Sequence, residues 1–220
     1  MYEYKTRVRY TDSAFNGEMS LSAVIDCFQN VFHFECDDTG VGTQDLIMKG
    51  LGWFIYFWQV DISRYPKCGE EIIVGTFAYE DRGSSEERNF YIKTVRDDII
   101  VRANSVWSLV DLAKLQIMRI PNEVMDRNRK MNEDKLDMEY LGRRIRYSGE
   151  CNIRKVGEHI VSRLELDSNR HLNNSEYIKI ALATIADFNP SSVTRLCIEY
   201  RKQAVEGDLL HIFLAREDEM

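Results

Sequence analysis

Asp167-Ser168-Asn169-Arg170-His171-Leu172-Asn173-Asn174-Ser175-Glu176-Tyr177 crowds a carboxylate, a carboxamide and an imidazole into the first five of its residues. The segment before it, Ile160 to Leu166, alternates apolar and polar side chains and reads as a strand. The segment after it carries Ile178, Ala181, Leu182 and Ile185 at helical spacing and reads as a buried helix. Asn173 followed by Glu176 fits the capping-box spacing, which puts the helix start near Asn173. A polar loop between a strand and a helix N-terminus is a natural place for chemistry, and the rest of the chain is expected to build its pocket.

The same strand–loop–helix pattern occurs near the beginning. Arg7 to Ser13 lines up without a gap against Ser162 to Ser168, pairing Asp12 with Asp167 and Ser20 with Ser175. Internal duplication changes the whole fold assignment. In this alignment Ala14 and Asn16 stand where the later loop has Asn169 and His171, so only the second unit carries the polar cluster.

In the first unit, residues 3 to 10 alternate as a strand. Leu21, Val24, Ile25, Phe28, Val31 and Phe32 then recur at helical spacing with Cys36 close behind, a stripe wide enough to be wrapped by other structure. Asp37-Asp38-Thr39-Gly40 stops this helix. Trp53 to Ile62, Glu71 to Tyr79, Asn89 to Arg96 and Ile99 to Val110 are aromatic and β-branched strands broken by polar turns. One long helix and four strands make an α+β layer. Residues 121–152 are dense in both signs of charge and read as a partly helical, exposed connection, opening with a short helix near Pro121 to Met125. The expected division is therefore an N-terminal repeat over 1–120, a linker over 121–152 and a C-terminal repeat over 153–220. After the second helix only Val193 to Ala204 and Leu209 to Ala215 read as strands, so the second sheet is about two strands short, with an edge to be covered or paired.

The 220 residues are 44% hydrophobic and 30% charged, ordinary values for a globular protein. No apolar run approaches the length of a membrane span. Met1 leads directly into strand pattern, so no signal peptide is expected, and the cytoplasm is the simplest address. Five cysteines without CxxC spacing argue against a disulfide framework and against zinc, and neither a metal nor a cofactor is expected. A net charge of −7 disfavours nonspecific nucleic-acid binding. Arg143, Arg144 and Arg146 form a local basic cluster, either solvated surface or a landing patch for an acidic partner.

The Asp-x-Asn-x-His-x-Asn-Asn loop, the helix after it and the segment Glu199-Tyr200-Arg201-Lys202 resemble the acyl-[acyl carrier protein] thioesterases. Trp53 to Pro66, ending Arg64-Tyr65-Pro66, and the Arg119-Ile120-Pro121 exit resemble that family's first repeat and linker start. The resemblance implies a tandem, or double, hot-dog fold, each repeat a long helix wrapped by an antiparallel sheet. It also implies hydrolysis of fatty acyl-[acyl carrier protein] in fatty acid biosynthesis. Carried over by position, the family's catalytic Asp, Asn and His are Asp167, Asn169 and His171. Its Glu-Cys pair falls on Gln203 and Ala204. A cysteine mechanism is excluded by Ala204. Cys197 cannot replace it, because seven residues of strand span roughly 23 Å. Gln203 can orient a water but cannot take its proton.

Asp167 is then the candidate base or nucleophile. The backbone N–H groups near Asn173 and Asn174 offer a positive helix end to an oxyanion. Asn169 would hold the carboxylate or water, and His171 would orient the thioester or protonate the leaving thiolate. Each also has a plain structural role open to it: Asp167 as an Asx-type loop cap, Asn169 in a turn, Asn173 as a helix cap, Glu199 in a surface ion pair with Arg201. Fully extended, Asp167 and His171 would lie roughly 13 Å apart, so the loop must curl. Phe28, Phe32, Trp53 and Tyr56 are either core or the lining of an acyl-chain tunnel. Acyl carrier proteins are acidic, which makes Arg143, Arg144 and Arg146 candidates for docking them. An acyl-CoA thioesterase and a non-catalytic acyl-binding protein remain alternatives, and the incomplete second sheet leaves a homodimer open.

Overall fold

The computed structural model of the chain describes residues 1–40, 42–122, 124, 134–146, 152–186 and 188–216. Strand β1 (Tyr2–Arg7) leads through a turn at Tyr10–Asp12 into helix α1 (Leu21–Asp38). Ser20 caps α1, its hydroxyl accepting the Ala23 N–H at 3.2 Å, a contact worth about 1 kcal/mol. Leu21, Val24, Ile25, Phe28, Val31, Phe32 and Cys36 make the buried face of α1. Fully burying one such large apolar side chain contributes about 1.5–3 kcal/mol. A short helix α2 (Thr43–Met48), not evident from periodicity, follows.

Around α1 curl β2 (Leu51–Ile62), β3 (Glu71–Asp81), β4 (Glu86–Thr94) and β5 (Ile99–Asp111), with β6 (Gln116–Ile117) added beside β5. The order is β1-β3-β4-β5-β2 and every pair is antiparallel. One helix filling one sheet is the arrangement expected of a hot-dog repeat. The second unit has β7 (Asn152–Ile160), helix α3 (Asn174–Leu182), β8 (Arg195–Glu199) and β9 (Leu209–Arg216). β7 pairs with β9, and β8 pairs with β2 of the first unit. Among the described residues no strand lies between β8 and β9, where the first repeat has β4 and β5.

Two expected strands do not run where their patterns suggested. Of the one read over Ile160 to Leu166 only Ile160 is strand, as the last residue of β7. There the Ser162 N–H bonds the Glu165 carboxylate at 2.7 Å and the Glu165 N–H bonds Ser162 O at 3.2 Å, closing a turn that leaves Leu164 96% exposed. The one read over Val193 to Ala204 is confined to Arg195–Glu199. The Tyr200 N–H still bonds Tyr56 O of β2 at 2.9 Å while its Oη donates to Asn174 O at 2.9 Å; beyond it the chain leaves the sheet, and the Leu172 N–H donates to Ala204 O at 2.8 Å.

The duplication is present atom by atom, in a register that differs from the gapless alignment. Ser20 N–H to Asp12 O is matched by Asn173 N–H to Glu165 O, and Ala14 N–H to Glu18 O by Asp167 N–H to His171 O. Gly69 N–H to Val8 O is matched by Gly207 N–H to Val161 O. Asp12 therefore corresponds to Glu165, Ala14 to Asp167, Asn16 to Asn169, Glu18 to His171 and the helix cap Ser20 to Asn173. Backbone conformation agrees: Gly17 (φ +79°) matches Arg170 (φ +63°), both left-handed. β8 and β2 meet around Gln59 opposite Cys197, with Phe57 opposite Glu199 and Asp61 opposite Arg195. That pairing relates the repeats by a local two-fold; β7 and β9 form a separate two-stranded sheet, while β8 is added to the sheet of the first repeat.

Residues 134–146 of the expected linker are irregular and lie against the outer face of this sheet rather than standing free of it; 123, 125–133 and 147–151 fall outside the described residues. Gln59 donates to Glu139 O at 2.6 Å and accepts the Leu141 N–H at 2.9 Å. Asn89 Oδ1 accepts the Leu136 N–H and the Tyr140 hydroxyl, each at 2.9 Å. Without this strap the buried amides of Gln59 and Asn89 would lose these partners on the sheet's outer side.

Candidate active site

A cavity of about 500 Å³ opens where the repeats meet, over β2 and between α1 and the loop that starts α3. Asp167, Asn169, His171, Asn173, Asn174 and Gln203 all lie on its wall, and Trp53, Tyr56 and Trp107 give it an aromatic side. Phe28 and Phe32, expected as core or tunnel lining, are fully buried behind it: Phe28 packs on Trp58 and Phe90, and Phe32 stacks on Trp107.

The loop curls as its chemistry requires. Asp167 Oδ1 accepts the N–H of Asn169 at 2.8 Å and of His171 at 3.1 Å, while the Asp167 N–H reaches back to His171 O at 2.8 Å. Asp167 is thus an Asx cap as well as a pocket carboxylate: one oxygen shapes the loop, and a second remains on the same group. The His171 ring packs against Phe54 with centroids 6.0 Å apart. Its Nδ1 is buried and has no hydrogen-bond partner among the described residues, a costly state unless a bound group satisfies it.

Asn173 caps α3, its Oδ1 accepting the Ser175 N–H at 3.1 Å. Two details depart from expectation. The Asn173 N–H is committed to Glu165 O at 2.9 Å, so of the two backbone donors expected for an oxyanion the helix start keeps that of Asn174. Glu176 pairs with Lys179 at 2.6 Å instead of completing a capping box.

α1 supplies the opposite wall with Asp26, Gln29, Asn30 and His33. Sequence reasoning passed over these four, yet they left a signal: polar residues at i, i+3, i+4 and i+7 along a helix whose other face is core. Gln29 Nε2 donates to Asn173 Oδ1 at 3.3 Å, and Gln29 Oε1 accepts from Asn174 Nδ2 at 2.9 Å, joining the two repeats. His33 Nδ1 lies 2.7 Å from Thr43 Oγ1, and burial holds its pKa below the ordinary histidine value despite the nearby Asp37 and Asp167 charges. Burial pushes the Asp26 carboxyl up, opposed by a hydrogen bond from Ser175. Phe54, Tyr177, Tyr200, Arg201 and Lys202 also line the cavity without having been singled out as site residues. Glu199 is taken up by Arg201 at 3.0 Å, which holds its carboxyl below the usual range. Among the described residues no group of three or more His, Cys, Asp or Glu side chains is arranged to hold a metal, and no helix is long and apolar enough to cross a membrane.

Comparison with known proteins places these features in a family. Models of the acyl-ACP thioesterase N-terminal and C-terminal domains match residues 1–127 and 151–219. The chain belongs to the acyl-ACP thioesterase family. Among curated acyl-ACP thioesterases it is similar to the chloroplastic acyl-[acyl-carrier-protein] hydrolase FATB3 of Cuphea viscosissima, at 24% identity over 90% of this chain and 50% of that one. A palmitoyl-acyl carrier protein thioesterase of Gossypium hirsutum is 25% identical over 76% of this chain and 42% of its own. The chain thus spans about half the length of the curated relatives it matches. An acyl-ACP thioesterase structure from Bacteroides thetaiotaomicron superposes with a TM-score of 0.83 at 19% identity, covering 95% of this chain and 84% of that one. The 12:0-ACP thioesterase from Umbellularia californica gives 0.73 at 16% identity, covering 98% and 97%. At these identities the structures establish the hot-dog fold.

In this acyl-ACP thioesterase chain Gln203 lines the cavity, whereas Ala204 is buried with its N–H on the Tyr177 hydroxyl at 3.1 Å. The basic cluster is split. Arg143 pairs with Glu87, with its pKa held down by burial and by Arg82, while Arg144 and Arg146 stay exposed.

Proposed function

We propose that this protein hydrolyses the thioester of fatty acyl-[acyl carrier protein], releasing free fatty acid for fatty acid biosynthesis without a cofactor. The observation that carries this reading is the convergence of Asp167, Asn169, His171 and Gln203 with the start of α3 on one wall of an aromatic cavity. Its volume of about 500 Å³ falls in the range of pockets that enclose small organic ligands. In the proposed reaction the carboxylate of Asp167 takes a proton from water held by Asn169 and Gln203, and the water oxygen attacks the thioester carbon. The resulting oxyanion sits at the positive end of α3. Collapse breaks the C–S bond, and His171 delivers a proton to the leaving thiolate. Both walls of the cavity come from one chain, so this chemistry does not require a homodimer. A soluble carrier as substrate suits the cytoplasmic address expected from the sequence.

The test is turnover of acyl carrier protein loaded with fatty acids of different lengths, alongside the matching acyl-CoA esters and a His171→Ala control. The proposal expects free acid from the carrier-bound substrates and a large loss in the variant. Preference for acyl-CoA would replace the carrier by a nucleotide. Acyl-chain binding without hydrolysis by the wild type would instead support an acyl-binding protein, a reading favoured by Gln203 and Ala204 at the positions of the Glu-Cys pair.

A further inference from the structure

The α3 cap carries more chemistry than a cap needs. A helix N-cap requires one oxygen, which serine or aspartate supplies as well as asparagine, and the first repeat uses Ser20 at the equivalent place. At Asn173 the oxygen is engaged on two sides: Oδ1 accepts from Ser175 N at 3.1 Å and from Gln29 Nε2 at 3.3 Å. Both donors sit on protein, so the other end of the carboxamide, Nδ2 with its two N–H bonds, is left for the cavity that Asn173 lines. Gln29 is fixed in turn. Asn174 Nδ2 donates to its Oε1 at 2.9 Å, so a flipped Gln29 amide would set donor against donor at Asn174 and acceptor against acceptor at Asn173. The bridge belongs to one side of the local two-fold only. Leu182 stands as far past the cap Asn173 as Gln29 stands past the cap Ser20, so α3 carries an apolar residue where α1 carries the amide.

We propose that Gln29 and Asn173 act as a couple: Gln29 is a positioning residue that holds the Asn173 carboxamide so that Nδ2 donates to the thioester oxygen as it becomes an oxyanion. The backbone N–H of Asn173 cannot take this role, being bound to Glu165 O at 2.9 Å. With the Asn174 N–H on the same helix end, the side-chain donor gives the oxyanion two hydrogen bonds, one dependent on a residue from the other repeat. The proposal rests on the hydrolase reading above.

Asn173→Asp and Asn173→Ser both keep a capping oxygen, and neither supplies the carboxamide donor. In each, kcat falls about 100-fold while KM stays within about threefold and the thermal midpoint is maintained. Gln29→Leu, which installs the residue that α3 carries, lowers kcat about tenfold, and combined with Asn173→Ser it lowers kcat no further than Asn173→Ser alone. If Gln29→Leu does not fold, Gln29→Glu keeps the acceptor for Asn174 and removes the donor to Asn173, with at least the same loss expected. Either Asn173 variant retaining kcat within about threefold of wild type would overturn the donor role. A folded Gln29 variant with unchanged kcat, or a double variant whose loss is the product of the single losses, would overturn the coupling. Wild type that hydrolyses no acyl thioester overturns the hydrolase reading and this one with it.

Discussion

Asp167 does two jobs with one carboxylate, and the two can be separated. Its Oδ1 holds the loop through the Asn169 and His171 N–H groups. Asparagine can keep those two bonds but cannot accept a proton, so Asp167→Asn should fold normally and lose about 100-fold or more in kcat on acyl carrier protein substrates. Unchanged turnover would remove Asp167 from the chemistry. His33 supplies a pH test. Its folded pKa lies below the ordinary 6.5, so between the two values the unfolded chain binds more protons. Its contribution to stability is therefore complete above that ordinary value and is lost as pH falls below it, towards the folded one. Urea midpoints from about pH 8 to about 5 should fall in wild type, with a smaller fall in His33→Gln. Equal slopes would contradict this. At this scale Asp167, Asn169 and His171 stood out in the sequence because they are close together along the chain. Gln29 and His33 did not, because a helical stripe of polar residues shows its purpose only when something polar is placed opposite.

Among the elements, the helix of the first repeat and most of its strands were legible because long apolar periodicity survives in any context. The strands that were misread have bounds set by particular hydrogen bonds. Ile160 to Leu166 is taken up by the Ser162–Glu165 turn, and Val193 to Ala204 has strand composition throughout, yet Ala204 is drawn off by Leu172 and Tyr177. The strap is the same case in reverse: a charged stretch that reads as exposed is held by two buried amides. Gln59→Leu would leave the Leu141 N–H and Glu139 O without their partner, at a cost of about 1–3 kcal/mol in urea denaturation. A change under a few tenths of a kcal/mol would show that the strap contributes little to stability.

At the scale of the whole molecule the buried charges and the docking surface come forward. Arg88 is inaccessible between Glu35 Oε2 at 2.5 Å and Glu86 Oε1 at 2.6 Å, tying α1 to β4. Removing the guanidinium as Arg88→Met strands two carboxylates in the core and should cost about 3–5 kcal/mol. For the carrier, Arg143 is a poor probe, since Glu87 already occupies it. Arg146→Glu, at an exposed position, should raise KM for acyl carrier protein substrates and leave a small acyl thioester unaffected; equal loss on both would exclude docking there. The amino-acid sequence by itself determined the α+β class, the duplicated strand–loop–helix unit and the polar loop of the second unit, because these depend on periodicity and on neighbours along the chain. Tertiary structure alone decided the register of the duplication, in which Glu165 rather than Asp167 answers Asp12. It alone placed α1 opposite that loop, because pairing of β2 with β8 brings together residues far apart in the chain, and no local pattern encodes that meeting.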